Sequence, residues 1–341
     1  MANLFVLGSG GFGTALAVML SGAGHSVRLW GWQGWFQEEL RKKRENTELL
    51  KGVKIPDEVG IVDDIDGIEE AEVVFFATPT VGIRAAAKMC AGRLKEGAAL
   101  CCAAKGLEPG SLLRLDEVIG EELPGHPVVA LSGPSHAEEL TRGVPTAVVA
   151  ASADQKAAQK VQDLTANTHV RIYTSDDVIG VELGGALKNI IAFAAGIIDG
   201  MGFGDNTKAA LMTRGITEIA RLGVAMGARP ETFMGLSGVG DLIVTCCSMH
   251  SRNRRCGIYV GEGLSVAEAV EKVGMTVEGI VATECAYELS QKAGVEMPIT
   301  TQAYLLIKGR TTVKQVVSAL LERPLKHETE VGWLKMGRSG S

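Results

Sequence analysis

The run Leu4-Phe5-Val6-Leu7-Gly8-Ser9-Gly10-Gly11-Phe12-Gly13, continued by Thr14-Ala15-Leu16-Ala17-Val18-Met19-Leu20, constrains this chain more than any other stretch. Its first four residues read as a buried strand and the residues after Gly13 as a helix. Between them, G-x-G-x-x-G asks for a sharp turn at Gly8, backbone approach to a ligand at Gly10 and close helix–strand packing at Gly13. The helix would then offer unpaired N–H groups and its positive dipole end to an anion, so the pattern predicts a dinucleotide-binding turn. With 43 glycines in 341 residues, chance triplets occur, and it is the strand before and the helix after that give this one weight. The plain alternative is a tight turn with no ligand.

The same rhythm of short apolar run, turn and helical segment repeats along the first half. Strands are predicted at 4–7, 27–30, 73–77, 99–103, 128–131, 147–150 and 170–173, and helices at 13–22, 37–44, 82–93, 111–119 and 155–164. Continuous rather than alternating apolar runs suit a mostly parallel sheet covered by helices on both faces. Past residue 178 the apolar spacing turns helical, which predicts a Rossmann-like α/β domain over 1–178, an all-helical domain over 179–330 and a flexible tail over 331–341. With no Pro/Ser-rich linker between the domains, the active site is expected in the cleft where they meet.

Charge and cysteine usage narrow the partners. A formal charge of −6, from 34 Lys+Arg and 40 Asp+Glu, is the wrong sign for general binding of nucleic acid or anionic lipid. No basic residue precedes Arg28, which argues against a signal peptide, and the run Ile190–Ile198 is too short to span a bilayer. Seven cysteines without a C-x-x-C pattern suggest reduced thiols in a cytoplasm. Cys246, His250 and Cys256 lack a second paired-ligand knuckle, so no metal is expected there.

The second strand ends Arg28-Leu29-Trp30-Gly31-Trp32-Gln33, without the Asp or Glu that holds the ribose 2′-OH in NAD-specific folds. NADP is therefore as acceptable as NAD and slightly favoured, with Trp32 a candidate to stack on adenine or a rim aromatic. Lys188 stands in a helix of small and apolar residues, where Gly184 and Gly185 leave room for a ligand. A lysine buried there, beside another cation, would lose proton affinity and could exchange protons near neutral pH, while the bland reading puts it on a solvated face. Lys105-Gly-Leu-Glu and Ser132-Gly133-Pro-Ser135-His-Ala137 follow predicted strands, at the sheet edge where such folds keep ligands. Gly238-Val-Gly-Asp241 and Ser251-Arg252-Asn253-Arg254-Arg255 complete the set, the arginines being either a phosphate clamp or a solvated loop.

Six blocks in this order, GSGGFGTALA, KGLE, LSGPSHAEE, ELGGALKNIIAFAAGIIDGMGFGDNTKAALMTRGITE, TFMGLSGVGDLIVTC and SRNRR, resemble the soluble bacterial NAD(P)-dependent glycerol-3-phosphate dehydrogenases over residues 3–325. The resemblance implies reversible hydride transfer between NAD(P)H and dihydroxyacetone phosphate, giving sn-glycerol 3-phosphate for phospholipid synthesis. It makes Lys188 the general acid and base, and adds Lys105, Gly133, Ser135, Asp241, Ser251, Arg252 and Asn253 as substrate contacts. Gly8, Gly10, Gly11, Phe12, Gly13, Trp32, Lys105, Ala137, Arg252 and Glu278 would hold the cofactor, and a homodimer is the assembly allowed for. Two features depart from the usual pattern: Gly11-Phe12 stands where relatives carry Ser-Tyr or Ser-Trp, and Gly31-Trp32 where they carry Gly-His. Competing readings are a hydroxyacid or phosphogluconate dehydrogenase, which needs a carboxylate anchor, and a nucleotide-binding redox sensor, which has no need for Lys188 and Arg252.

Overall fold

The computed structural model describes residues 1–324, so the tail predicted over 331–341 and the end of the helical domain at 330 lie outside the described residues. The strands are β1 (Asn3–Leu7), β2 (Ser26–Trp30), β3 (Glu45–Asn46), β4 (Leu50–Lys54), β5 (Gly60–Val62), β6 (Val73–Phe76), β7 (Ala99–Cys102), β8 (Val128–Ser132), β9 (Thr146–Ala151) and β10 (Val170–Ser175). Eight of them form one sheet in the order β10-β9-β8-β7-β6-β1-β2-β5, and β3 pairs with β4 alone. Within the eight-stranded sheet all neighbours are parallel except β8 and β9, and β3 and β4 are antiparallel. From β1 the chain winds outward to β2 in one direction and to β6, β7 and β8 in the other. The β1–β6 seam is thus a switch point, where open α/β sheets keep their ligands.

Six helices belong to this half: α1 (Gly11–Gly22), α2 (Gly34–Lys43), α3 (Ile83–Cys90), α4 (Leu115–Glu122), α5 (Ala137–Thr141) and α6 (Gln155–Asp163). The central strands β1, β6 and β7 are apolar on both sides because both sides are covered, whereas the edge strand β10 alternates buried and exposed residues. Val6, Val73 and Leu29 are fully buried in a core shared with Leu16 and Leu20 of α1 and Val161 of α6. Burial of each such side chain stabilises the fold by about 1.5–3 kcal/mol.

The remaining helices are α7 (Val178–Gly200), α8 (Asp205–Ala225), α9 (Asp241–Cys247), α10 (Arg252–Gly261), α11 (Val266–Val273), α12 (Glu278–Ala293), α13 (Pro298–Ile307) and α14 (Val313–Leu321). The chain divides into two compact units, one of Met1–Lys105 with Leu115–Val178 and one of Gly106–Arg114 with Ile179 onward. Helix α7 contains the apolar run Ile190–Ile198, and at 23 residues it is long and apolar enough to cross a membrane. Its most apolar window is 94% buried within the protein, which marks it as the core helix of the second unit.

Two expectations need correcting. The helix predicted from residue 111 starts only at Leu115, because Leu107 and Arg114 form a bridge and Leu112 takes a left-handed φ of 63°. Leu107 and Leu112 are buried in the helical unit's core, so tertiary packing overrides the local helical pattern. The short strands β3, β4 and β5 were not anticipated, since residues 45–62 are rich in charge and contain no long apolar run.

Candidate active site

In the sheet unit, β1 ends where Gly8 adopts a φ of +118°, and a Cβ there would stand 2.6 Å from the Ala77 carbonyl carbon. A Cβ on Gly13 would stand 1.8 Å from the Gly8 carbonyl oxygen, so the start of α1 lies against the turn itself. Gly10 is different, for nothing lies within 4 Å of the place its Cβ would occupy. Gly10 caps α1 in an extended conformation, without a side-chain cap or an acid in the first turn. The N–H groups and dipole of α1 thus meet no acid or side-chain cap from its own first turn, which fits the pyrophosphate of a dinucleotide.

The departure at Gly11 has a physical cause, and the one at Trp32 has no structural explanation. A Cβ on Gly11 would lie 2.7 Å from the Leu49 carbonyl oxygen, so a serine would not fit this backbone without movement. A Cβ on Gly31 would lie 2.0 Å from Ser9 Oγ, so a side chain there would first have to displace the Ser9 hydroxyl. Phe12 packs against the sheet core, and Trp32, 49% exposed, meets Trp30 edge-on with ring centroids 4.8 Å apart.

At the ends of β7 and β8, Lys105 Nζ donates to the Gly133 carbonyl at 2.8 Å and Ser135 Oγ donates to the same oxygen at 3.0 Å. Lys105, Gly133 and Ser135 are therefore one cluster, and Ala137 opens α5 two residues later.

The helical unit holds the other set. Lys188 is buried on α7, and its Nζ donates to the Asp241 carboxylate and, at 2.8 Å, to Thr245 Oγ1. Thr245 in turn donates to the Asp241 carbonyl at 2.6 Å. Asp241, only 1% exposed, follows a turn of π-helix over Leu236–Gly240 that delivers it into α9. An ammonium removed from water is tolerated here because a carboxylate and a hydroxyl replace its hydration. The charge paired with Lys188 is therefore the Asp241 carboxylate.

Ser251 caps α10 by accepting from Arg254 N at 3.2 Å, which places Arg252 as the exposed first residue of that helix. Asn253 is buried and bonded to Asn189 Oδ1 at 2.9 Å and to Gly279 N at 2.8 Å. Glu278 opens α12 beside Gly279. The expected three-arginine clamp is smaller than its sequence suggests, because Arg254 Nε is held by Asp199 at 2.8 Å and its Nη1 by the Cys247 carbonyl at 2.9 Å. Gly184 leaves no room for a ligand, since a Cβ there would meet the Ser237 carbonyl oxygen at 2.7 Å.

Sequence reading missed Thr245 and the tie made by Asn189. Thr245 lies four residues after Asp241, the spacing that puts two side chains on one helical face, and that signal was available. Among the described residues no group of three or more His, Cys, Asp or Glu could hold a metal, and all seven cysteines are free thiols.

Residues 3–158 match the family model described as the N-terminus of NAD-dependent glycerol-3-phosphate dehydrogenase, and residues 177–318 match that of its C-terminus. The chain is 50% identical over 329 residues to a glycerol-3-phosphate dehydrogenase [NAD(P)+] of Clostridium perfringens, covering 96% of this chain and 99% of that protein. It is 51% identical over 330 residues to one of Desulfitobacterium hafniense, covering 97% and 94%. The crystal structure of glycerol-3-phosphate dehydrogenase from Coxiella burnetii superposes with a TM-score of 0.91 at 36% identity, over 94% of this chain and 99% of that one.

Proposed function

The chain belongs to the NAD-dependent glycerol-3-phosphate dehydrogenase family, and on that premise we propose that it interconverts dihydroxyacetone phosphate and sn-glycerol 3-phosphate with NAD(P)H. Its product would serve glycerophospholipid synthesis, and its free thiols suit the cytoplasm. The observation that carries the reading is the buried Lys188 ammonium held by Asp241 and Thr245.

Bound NAD(P)H would supply the hydride for C2 of the ketone. Negative charge then grows on the carbonyl oxygen, and Lys188 Nζ gives that oxygen a proton, taking it back in the reverse direction. Asp241 and Thr245 fix the direction of Nζ, so no rotamer search precedes the transfer. Arg252, at the first position of α10, and the N–H groups of that helix end would grip the substrate phosphate. Ser251 shapes that end by capping it, and the grip spends remote binding energy on orienting the carbonyl. Lys105, Gly133 and Ser135 would contact the substrate, Lys105 the cofactor as well, and Gly8 to Gly13 with Phe12, Trp32, Ala137 and Arg252 would serve the cofactor side, with Glu278 a further contact.

Following NAD(P)H absorbance with dihydroxyacetone phosphate, and then with hydroxyacids and sugar acids, tests the assignment. Oxidation of the nicotinamide only with a carboxylate substrate overturns it. Comparing kcat/KM for NADH and NADPH settles what Gly31 and Trp32 do to cofactor choice.

A further inference from the structure

The end of β2, where an acid would hold the adenosine ribose, is furnished with neutral oxygens instead. The parallel register pairs Trp30 with Leu7, so Gly31 stands beside Gly8 at the edge of the sheet where such folds keep their ligands. Two side-chain oxygens flank the position of its absent Cβ, Ser9 Oγ at 2.0 Å and Gln37 Oε1 at 3.2 Å. Gln37 is wholly buried on α2, a rare place for a long amide side chain.

The orientation of that amide is fixed. Gln37 Nε2 donates to the Leu29 carbonyl at 3.2 Å and to the Val62 carbonyl at 2.9 Å, tying α2 to the ends of β2 and β5. Turned over, the amide would set its oxygen against two carbonyl oxygens, so Oε1 has to face Gly31. There it is buried and accepts no hydrogen bond, a costly state for an acceptor unless something brings it a hydrogen. Ser9 flanks the same point and keeps 6% exposure where Gln37 keeps none. Thr14 Oγ1 and Asn46 Nδ2 donate to the Ser9 carbonyl at 3.2 and 3.1 Å, which pins its backbone and leaves the hydroxyl to turn. A hydroxyl has one hydrogen and two lone pairs, and one that spends its hydrogen inward on Oε1 presents only lone pairs outward.

We infer that Ser9 Oγ, its hydrogen drawn inward by the Gln37 amide, accepts the 2′-hydroxyl hydrogen of the adenosine ribose and makes this site select NADH over NADPH. The inference rests on the dinucleotide-dependent reaction proposed above, and it departs from the slight preference for NADP read from the sequence. A 2′-phosphate would bring anionic oxygens to an oxygen that also only accepts. It would need a cation as well, and the four cations of β2 and α2 already have partners. Arg28 donates to the Asp66 carbonyl at 2.7 Å, Arg41 grips the Asp63 carboxylate at 2.6 and 2.8 Å, and Lys42 and Lys43 pair with Glu38 and Glu39.

The test measures dissociation constants by fluorescence titration without substrate, for wild type, Ser9→Ala and Gln37→Met. The ligands are NADH, NADPH and the NADH analogue that lacks the adenosine 2′-hydroxyl. Wild type should bind NADH about ten-fold more tightly than either of the others, the scale of one hydrogen bond. Ser9→Ala should bring NADH down to the level of the analogue and leave the analogue where it was, so that the two are no longer distinguished. Gln37→Met keeps the bulk but frees the Ser9 hydrogen to turn outward, and should narrow the gap between NADH and NADPH about three-fold or more. Ser9→Ala breaks none of the Gln37 bonds and carries the test if Gln37→Met does not fold. Wild type binding NADPH as tightly as NADH overturns the inference, and so does a Ser9→Ala variant that loses affinity for NADH and the analogue equally. Wild type that binds neither dinucleotide overturns the dehydrogenase reading with it. Wild type that reduces dihydroxyacetone phosphate as efficiently with NADPH as with NADH leaves that reading standing and overturns the selectivity alone.

Discussion

The Gly8–Gly13 turn and the Lys188–Asp241 cluster are built on opposite principles. The first is made of backbone and vacated space, with no charged side chain between Gly8 and Gly13. The second is made of side chains packed out of water, with Lys188 and Asp241 separated by 53 residues in sequence. Removing a side chain is how the turn works, and pairing side chains is how the cluster works. A substitution should therefore damage the turn by adding atoms and the cluster by deleting them.

The largest expected effect is that of Lys188→Ala, which should lower kcat roughly 10²–10⁴-fold while dinucleotide binding, followed by nicotinamide fluorescence, stays as in wild type. Unchanged turnover would remove Lys188 from the chemistry. Next comes a contrast within the turn. Gly13→Ala places a Cβ on the Gly8 carbonyl and should cost about 3 kcal/mol of stability in urea unfolding, the upper end for overpacking. Gly10→Ala meets nothing and should change stability by less than about 0.5 kcal/mol. It should nonetheless raise the dinucleotide KM about ten-fold, equivalent to about 1.4 kcal/mol. Equal stability losses at the two positions would erase the distinction between a packing glycine and a ligand-facing one.

A further contrast lies between two buried ionisable groups of the helical unit. Lys188 faces a carboxylate, whereas Glu218 accepts from Ile299 N and Thr300 N at 2.8 Å and from Thr300 Oγ1 at 2.7 Å, all neutral donors. Burial raises the Glu218 pKa above the ordinary carboxylate value, against the opposing pull of those hydrogen bonds and of Arg221. The native state then keeps its proton to higher pH than the unfolded chain does. Its contribution to stability is full below the ordinary carboxylate range and drains away as pH rises toward the native value. Glu218→Gln has no proton to lose, so its stability relative to wild type should improve from pH 4 to pH 7, by at most about 1.4 kcal/mol per unit. A relative loss over that range would show that the donors stabilise the carboxylate more than burial disfavours it.

The smallest effect is one of labelling alone. Burial pushes the Cys246 thiol up to about 12, while its neighbour Cys247 is exposed. Iodoacetamide at pH 8 should alkylate Cys247 and leave Cys246 intact, as peptide mass analysis would report. Modification of Cys246 at a similar rate would mean that α9 opens readily.

Legibility from sequence followed the range of the interactions. The seven strands read from apolar runs all appear, with ends shifted by a residue or two, because an apolar run must be buried wherever the sheet places it, on both faces in β6 and β7 and on one in β10. The shift of the 111–119 helix was not legible, since what stops it is the burial of Leu107 and Leu112 in the second unit's core. Likewise nothing near Arg254 in the sequence announces that Asp199, 55 residues earlier, pairs with it.

By itself, the sequence determined the glycine turn, the switch from strand to helical periodicity and the blocks that mark the family, because each is encoded in contiguous residues. Only the tertiary structure decided that Thr245 joins Lys188 and Asp241, that Asn253 is drawn to Asn189 across 64 residues, and that the space beside Gly184 belongs to Ser237. A buried polar group must find a partner, but which partner it finds depends on how distant helices pack, and no local pattern carries that information.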